Sequence, residues 1–215
     1  CHLELSHMKG LVDTGTGLLP FIERVVKFRD FPEEVIQEAI AAADREMYDN
    51  GIVAVGDISN KADTVAQKAR SPLRYYTFVE MFDFLRDERA ADTFAGYRKV
   101  YEAQSDEGGN RKSCVPHAPY TVSKTLFQLI NRQNGGADLT VSIHNQETPH
   151  ENRFFQDKSG GFLDFFRLFD IPLDHFEATG QASIQYALQH MDPNQRTLFV
   201  HNTMTRPADI RAAQS

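Results

Sequence analysis

The sequence has few cysteines, no surplus of positive charge and no long apolar run. Its 215 residues include two cysteines, Cys1 and Cys114, too few for a disulfide framework, so a reducing cytosol is the simplest compartment. The formal net charge of −7 argues against nucleic acid as a partner, because no basic surplus can neutralise phosphates. No apolar run reaches the roughly 18 residues of a membrane-spanning helix. The sequence therefore predicts a globular cytoplasmic protein without membrane or nucleic-acid partners.

The two ends of the sequence also lack features of a complete chain. It begins at Cys1 instead of Met, without signal-peptide character,. It stops at Ser215, within a pattern that reads as an amphipathic helix. We therefore expect a fragment of a longer protein.

Short β-rich runs alternate along the chain with longer helical stretches. Strands are predicted at 52–58, 73–80, 113–117, 139–144 and 196–201. Helices are predicted from residue 33, over 87–104, over 124–131 with Ser123 as N-cap, over 160–169 and over 183–190,. This alternation indicates an α/β fold built from parallel βαβ units.

A doubly wound sheet and a (β/α)₈ barrel both fit this alternation. The sequence lacks a Gly-x-Gly-x-x-Gly motif after the first predicted strand, which weakens the dinucleotide-binding form of the doubly wound sheet. The candidate functional residues follow several different strands. That distribution favours the barrel, whose active sites gather at the carboxyl ends of its strands.

Three histidines, His117, His144 and His201, share one context, because each ends a β-rich run. A single histidine at a strand end is more often structural than functional. Three in the same topological position are less easily explained as independent accidents. If the strands are parallel neighbours, the three imidazoles converge and can share a metal ion or a substrate.

Two acidic residues follow His144 closely. Glu147, three residues on, either caps the turn or reaches a metal-bound water as a proton shuttle. Glu151 either lies in the first turn of the next helix or binds substrate, and it is a candidate substrate-binding residue. Further on, Phe154, Phe155 and Phe162 either line an aromatic pocket or pack in the core, and core packing is the favoured interpretation.

Four segments together resemble the amidohydrolase superfamily: residues 1–6 (CHLELS), 115–121 (VPHAPYT), 143–148 (IHNQET) and 198–203 (LFVHNT). More narrowly, they resemble the branch with the chlorohydrolases and the deaminases of methylthioadenosine, S-adenosylhomocysteine, guanine and aminofutalosine. The resemblance covers most of the chain, and the motifs occur in the order of the family.

The resemblance implies a metal-dependent (β/α)₈ TIM barrel, truncated to about its first six βα units. Residues 1–215 would form one partial barrel domain that lacks the N-terminal start and the last strands. His2 and His144 match metal ligands of the family, for one divalent ion that is zinc or, as the alternative, iron. Glu147 matches the proton-shuttling glutamate, His201 a catalytic histidine and His117 a substrate-contacting histidine.

The sequence departs from the family pattern at two places. The first histidine of the family's His-x-His pair would lie just before Cys1. The aspartate that follows the eighth strand has no counterpart, because Asp209 follows His201 too closely. We therefore expect this fragment alone to bind metal poorly.

Together these features predict a hydrolase of non-peptide C–N bonds. A deaminase of a purine-like or other heterocyclic small molecule is favoured. The alternatives are a cyclic-amide hydrolase or a chlorohydrolase of the same superfamily, and a non-catalytic barrel remnant. Homo-oligomerisation is left open.

Overall fold

The computed structural model describes residues 1–136 and 138–214. Five strands lie within this part of the chain: β1 (Ala54–Ser59), β2 (Arg74–Met81), β3 (Arg111–Pro116), β4 (Thr140–Asn145) and β5 (Arg196–His201). The α-helices are α1 (Leu18–Phe28), α2 (Glu33–Asp49), α3 (Val65–Arg70), α4 (Ala90–Ala103), α5 (Lys124–Asn134), α6 (Pro149–Asp157), α7 (Phe162–Leu168), α8 (Ser183–His190) and α9 (Pro207–Gln214). None of the helices in these residues is long and apolar enough to cross a lipid bilayer.

The chain divides into two compact units, of which the first comprises residues 1–80 and 95–114. It holds β1 and most of β2 and β3, which form a sheet in that order. Strands β1 and β2 are parallel, with Ala54 opposite Arg74. The apolar core of this unit combines the start of the short 3₁₀-helix Leu3–Met8, helix α2 and the start of β2. Its buried residues are Leu3, Ile36, Ile40, Leu73 and Tyr75.

The second unit comprises residues 81–94 and 115–214. Strands β4 and β5 pair in parallel, with Asn145 opposite His201 at their carboxyl ends. Phenylalanines fill much of the core, and Phe154, Phe155 and Phe162 are fully buried. The Phe154 ring stacks on Phe176 with a centroid separation of 4.3 Å. The three phenylalanines singled out in the sequence therefore pack in the core.

The α/β architecture with parallel strands is confirmed. All five predicted strands are present, and β1 begins two residues later than expected because the Ile52 amide donates to the Met47 carbonyl at the end of α2. Ser123 caps α5, since its hydroxyl accepts a hydrogen bond from the Leu126 amide at 3.1 Å. Within the described residues the strands form sheets of three and two, so the closed barrel stays an expectation for a longer chain.

Candidate active site

Three histidines meet at the carboxyl ends of neighbouring strand segments in the second unit. His117 directly follows β3, and its carbonyl accepts a hydrogen bond from the His144 amide at 2.8 Å. His201 ends β5, where it lies opposite Asn145 of β4. The ring centroids of His117 and His144 are 5.3 Å apart, and those of His144 and His201 are 5.2 Å apart. The parallel pairing of β4 with β5, together with the hydrogen bond from the His144 amide to the His117 carbonyl, brings the three rings together.

Glu147 places a carboxylate between two of these rings. Its Oε1 lies 3.1 Å from His201 Nε2 and 3.8 Å from His144 Nδ1. The Glu147 side chain is 8% exposed and that of His201 is 45% exposed, so the carboxylate is sheltered while one ring reaches solvent. One ligand atom from each of the three residues lies within 4.8 Å of the others. Two imidazoles and a carboxylate are donors that zinc takes in catalytic sites.

The surroundings of Glu147 favour its ionised form. Burial alone would raise the pKa of Glu147, but the hydrogen bond with His201 and the nearby imidazoles of His144, His201 and His117 lower it. The net result is a pKa below the ordinary value for glutamate. A carboxylate in this state can accept a proton or bind a cation at neutral pH.

Tyr120 also contacts Glu147, and the sequence alone predicts no role for it. Its hydroxyl donates a hydrogen bond to Glu147 Oε2 at 3.3 Å, on the carboxylate oxygen that does not face His201. The Tyr120 ring is 1% exposed and packs edge-on against His117. Its position three residues after His117, within the segment VPHAPYT (115–121), is the sequence feature that could have indicated a role at the site.

His117 is held by a neighbour in its own loop. Its Nδ1 lies 2.7 Å from the hydroxyl of Thr121. The Thr121 hydroxyl also donates to the carbonyl of Ala118. These contacts fix the orientation of the His117 ring at the strand end.

Glu151 contacts the turn that carries Glu147. Its Oε1 accepts a hydrogen bond from the Gln146 amide at 2.8 Å, and its Oε2 accepts one from the Glu147 amide at 2.9 Å. Burial raises the pKa of Glu151 to about 7, against the opposing effect of these hydrogen bonds. We expected Glu151 to bind substrate, and the contacts seen in the structure are with the backbone of this turn.

His2 belongs to the first unit, where it precedes the short 3₁₀-helix Leu3–Met8. Its neighbours on both sides bind β1. The Cys1 carbonyl accepts from the Ile58 amide at 2.8 Å, and the Leu3 amide donates to Asp57 Oδ1 at 2.8 Å. The buried ion pair between Asp57 and Lys68, at 2.6 Å, supports this attachment.

Comparison with known proteins finds curated relatives that are similar in sequence and solved structures that are similar in fold. No family model matches the chain. An adenosine deaminase from Helicobacter pylori is 26% identical over 203 residues, which cover 94% of this chain and 48% of the relative. The chain therefore spans about half the length of this curated relative.

Two solved structures share the fold. The aminofutalosine deaminase of Helicobacter pylori, in complex with methylthio-coformycin, matches with a TM-score of 0.72 at 21% identity, over 99% of this chain and 51% of that protein. The atrazine chlorohydrolase of Arthrobacter aurescens, complexed with zinc, matches with a TM-score of 0.71 at 14% identity, over 99% of this chain and 49% of that protein. The chain is therefore similar in sequence to curated proteins named as deaminases and shares its fold with a solved deaminase and a solved chlorohydrolase.

Proposed function

We propose that the full-length protein is a metal-dependent aminohydrolase that releases ammonia from a purine-like or other heterocyclic amine, on a (β/α)₈ barrel. One observation carries the proposal, namely that the sheltered carboxylate of Glu147 lies between His144 and His201 at the ends of two paired strands. The curated relative named adenosine deaminase supports the reaction class.

His2 and His144 would hold a divalent metal ion, and zinc is the first choice. Of this pair, His144 belongs to the group of side chains around Glu147 that could hold a metal ion, and imidazole nitrogen is a good zinc ligand. When bound, the ion supplies a water whose pKa is lowered toward neutrality, to about 7 in well-studied zinc enzymes. The zinc in the atrazine chlorohydrolase structure is consistent with this choice.

Glu147 would move the proton in this reaction. Water adds to the carbon that bears the amine, the C–N bond breaks, and ammonia leaves. The ionised carboxylate of Glu147 accepts one proton from the attacking water and delivers it to the ring nitrogen. It then carries the second proton, from the added hydroxyl, to the leaving amine, so that a carbonyl product and ammonia result. Its contacts with His201 and Tyr120 hold both oxygens in place for this transfer.

Two histidines would act on the substrate. His201, half exposed beside Glu147, stabilises the negative charge that develops on the substrate during attack. His117, oriented by Thr121, contacts the heterocycle and sets its position. The substrate role of Glu151 would be indirect, through the turn that it holds.

A chlorohydrolase is the second candidate. The fold is as similar to that of atrazine chlorohydrolase, with a TM-score of 0.71, as to that of the aminofutalosine deaminase, with a TM-score of 0.72. Both reactions replace a leaving group on a heterocyclic carbon by water. Purified full-length protein loaded with Zn²⁺ should be screened for ammonia release from aminopurines, adenosine derivatives and aminotriazines, and for chloride release from chlorotriazines. Chloride release without ammonia release would favour the second candidate.

Substitution of Glu147 tests its role directly. The Glu147→Gln variant keeps the side-chain shape but cannot exchange the proton, so we expect turnover to fall by roughly 10²- to 10⁴-fold with nearly unchanged metal content. The exposed loop residue Glu107 offers a matched control, Glu107→Gln, which should behave like the wild type. Retained turnover would make Glu147 a turn cap, and loss of the metal would make it a ligand.

A further inference from the structure

The turn after β4 is bound tightly to the turn after β5 through Gln146. Gln146 is fully buried, and both ends of its side-chain amide are engaged. Its Oε1 accepts a hydrogen bond from the Thr205 hydroxyl at 2.7 Å, and its Nε2 donates to Asp209 Oδ2 at 3.1 Å. Its carbonyl accepts from the Met204 amide at 3.1 Å. Gln146 therefore joins the turn that carries Glu147 to the start of α9.

The same two turns are joined at their bases. The Asn202 amide donates to the Asn145 carbonyl at 3.0 Å, and the Asn145 side chain donates to Asn202 Oδ1 at 2.8 Å. The Thr203 hydroxyl donates to the carbonyl of Glu147 at 2.6 Å. Hydrogen bonds thus reach the backbone of Glu147 itself from the β5 side.

The backbone of both turns adopts a conformation that needs such support. Gln146, His201 and Asn202 have φ values of +50°, +75° and +53°. Residues other than glycine hold the left-handed region only where the surrounding contacts determine it. Glu147 and His201, whose side chains meet at 3.1 Å, are both carried by these turns. Their separation therefore depends on how the turns are held.

We infer that Gln146, through its hydrogen bond to Asp209, is a positioning residue for Glu147 and His201. This inference rests on the proposed function, since it assigns Gln146 to the geometry of that site. Glutamine suits the position because one amide offers an acceptor to Thr205 and a donor to Asp209. Asp209, 6% exposed, also accepts from the Arg206 amide at 2.9 Å. The first turn of α9 is thereby tied to the reacting groups.

The test replaces the donor of Gln146 while keeping the size of the side chain. In full-length Zn²⁺-loaded protein, Gln146→Glu sets a carboxylate against Asp209, and the double variant Gln146→Glu/Asp209→Asn restores a donor and an acceptor in the reverse sense. We expect the single variant to lower kcat by about 10- to 100-fold, the usual effect of misplaced catalytic groups. KM and zinc content should change little, and the double variant should recover part of kcat.

Hydrogen exchange gives a readout that needs no substrate. Exchange at the amides of Met204 and Asn202 should accelerate in Gln146→Glu and slow again in the double variant, while core amides of β4 stay protected. The exposed α6 residue Gln156 supplies the matched control Gln156→Glu, which should leave kcat and exchange unchanged. If Gln146→Glu fails to fold, Asp209→Ala removes the acceptor of the Gln146 side-chain bond and takes its place.

The outcomes separate the two proposals. Wild-type kcat and exchange in the single variant, or no recovery of either in the double variant, would overturn the positioning role. So would a uniform rise in exchange with unchanged turnover per folded molecule, which is the signature of a purely structural residue. A wild type that releases no ammonia, in which exchange still follows the Gln146 and Asp209 changes, would refute the aminohydrolase proposal alone.

Discussion

At the scale of single residues, the surroundings of each titratable group set its chemistry more than its type does. Glu147 and Glu151 lie four positions apart and are both buried. The pKa of Glu147 is lowered, because histidines outweigh the effect of burial. The pKa of Glu151 is raised to about 7, because burial outweighs its hydrogen bonds. Glu147 is thereby held in the ionised form that can accept a proton, whereas the carboxylate of Glu151 is engaged by the backbone amides of the turn.

Cys114 allows a prediction at the same scale. The residue is fully buried in the first unit, and burial raises the pKa of its thiol from 9.0 to about 12. The thiolate is the form that reacts with iodoacetamide. A rise of the pKa from 9.0 to about 12 leaves about a thousandfold less thiolate at neutral pH,. We therefore expect Cys114 to stay unlabelled in folded full-length protein.

Peptide mass spectrometry of the alkylated protein assigns the label to each cysteine. Denatured protein treated in the same way is the control, and there Cys114 should react. Labelling of Cys114 in the folded protein to the same extent as in the denatured protein would contradict the burial of its thiol.

At the scale of the element, the start of α5 depends on a buried acid from another segment. Asp83 accepts hydrogen bonds from the amide and the hydroxyl of Ser123, and the same hydroxyl accepts from the Leu126 amide. Asp83 therefore orients the N-cap of the helix. Burial raises the pKa of Asp83 above its ordinary 3.8, against the opposing effect of the two hydrogen bonds.

The raised pKa of Asp83 predicts a pH dependence of stability. The folded chain binds this proton more tightly than the unfolded chain, so the contribution to stability is fully present below about pH 3.8 and is lost as pH rises through the folded-state pKa,. Asp83→Asn does not titrate. We expect the free energy of unfolding of the wild type, minus that of the variant, to decrease as pH rises.

Urea unfolding of full-length protein between about pH 4 and about pH 8 measures this difference. The variant should also be less stable by about 1–3 kcal/mol at low pH, because Ser123 loses a good acceptor. Asp174→Asn, at an exposed position, is the matched control and should run parallel to the wild type. A difference that grows with pH would show that Asp83 titrates in the opposite sense.

The elements that the sequence predicts well are those with a strong local pattern. Four of the five strands follow from β-branched and aromatic runs, whereas β3 has Val115 as its one β-branched residue. The α5 cap follows from Ser123. Helix α1 was not predicted, and Pro20 lies in its first turn, where proline is tolerated,. The local sequence around Glu147 likewise predicts a turn but not its partners. The contacts of Gln146 and Tyr120 join segments far apart in sequence, so only the fold reveals them.

At the scale of the whole molecule, the distribution of the candidate ligands along the chain matters most. The group formed by His144, Glu147 and His201 lies entirely in the second unit. The His2 segment lies in the first unit. The chain spans about half of the length of its curated relative. Metal binding is therefore best tested first at His144, which belongs both to the proposed ligand pair and to the group formed with Glu147 and His201.

We expect full-length protein to carry about one divalent ion per chain, and His144→Ala to remove most of it. His144 lies in β4 with a largely buried side chain, where alanine offers no ligand. Metal content is measured by elemental mass spectrometry. His175→Ala, at an exposed position, is the matched control and should keep its metal.

Thermal unfolding supplies a second readout of the same change. A ligand that binds only the folded state stabilises it by about 2.7 kcal/mol when present at 100 times its dissociation constant. A chelator should therefore lower the Tm of the wild type and of His175→Ala, but should leave the Tm of His144→Ala nearly unchanged. A folded His144→Ala protein with wild-type metal content and the same response to chelator would exclude His144 as a ligand. The zinc-dependent chemistry proposed for Glu147 would then need a different metal site.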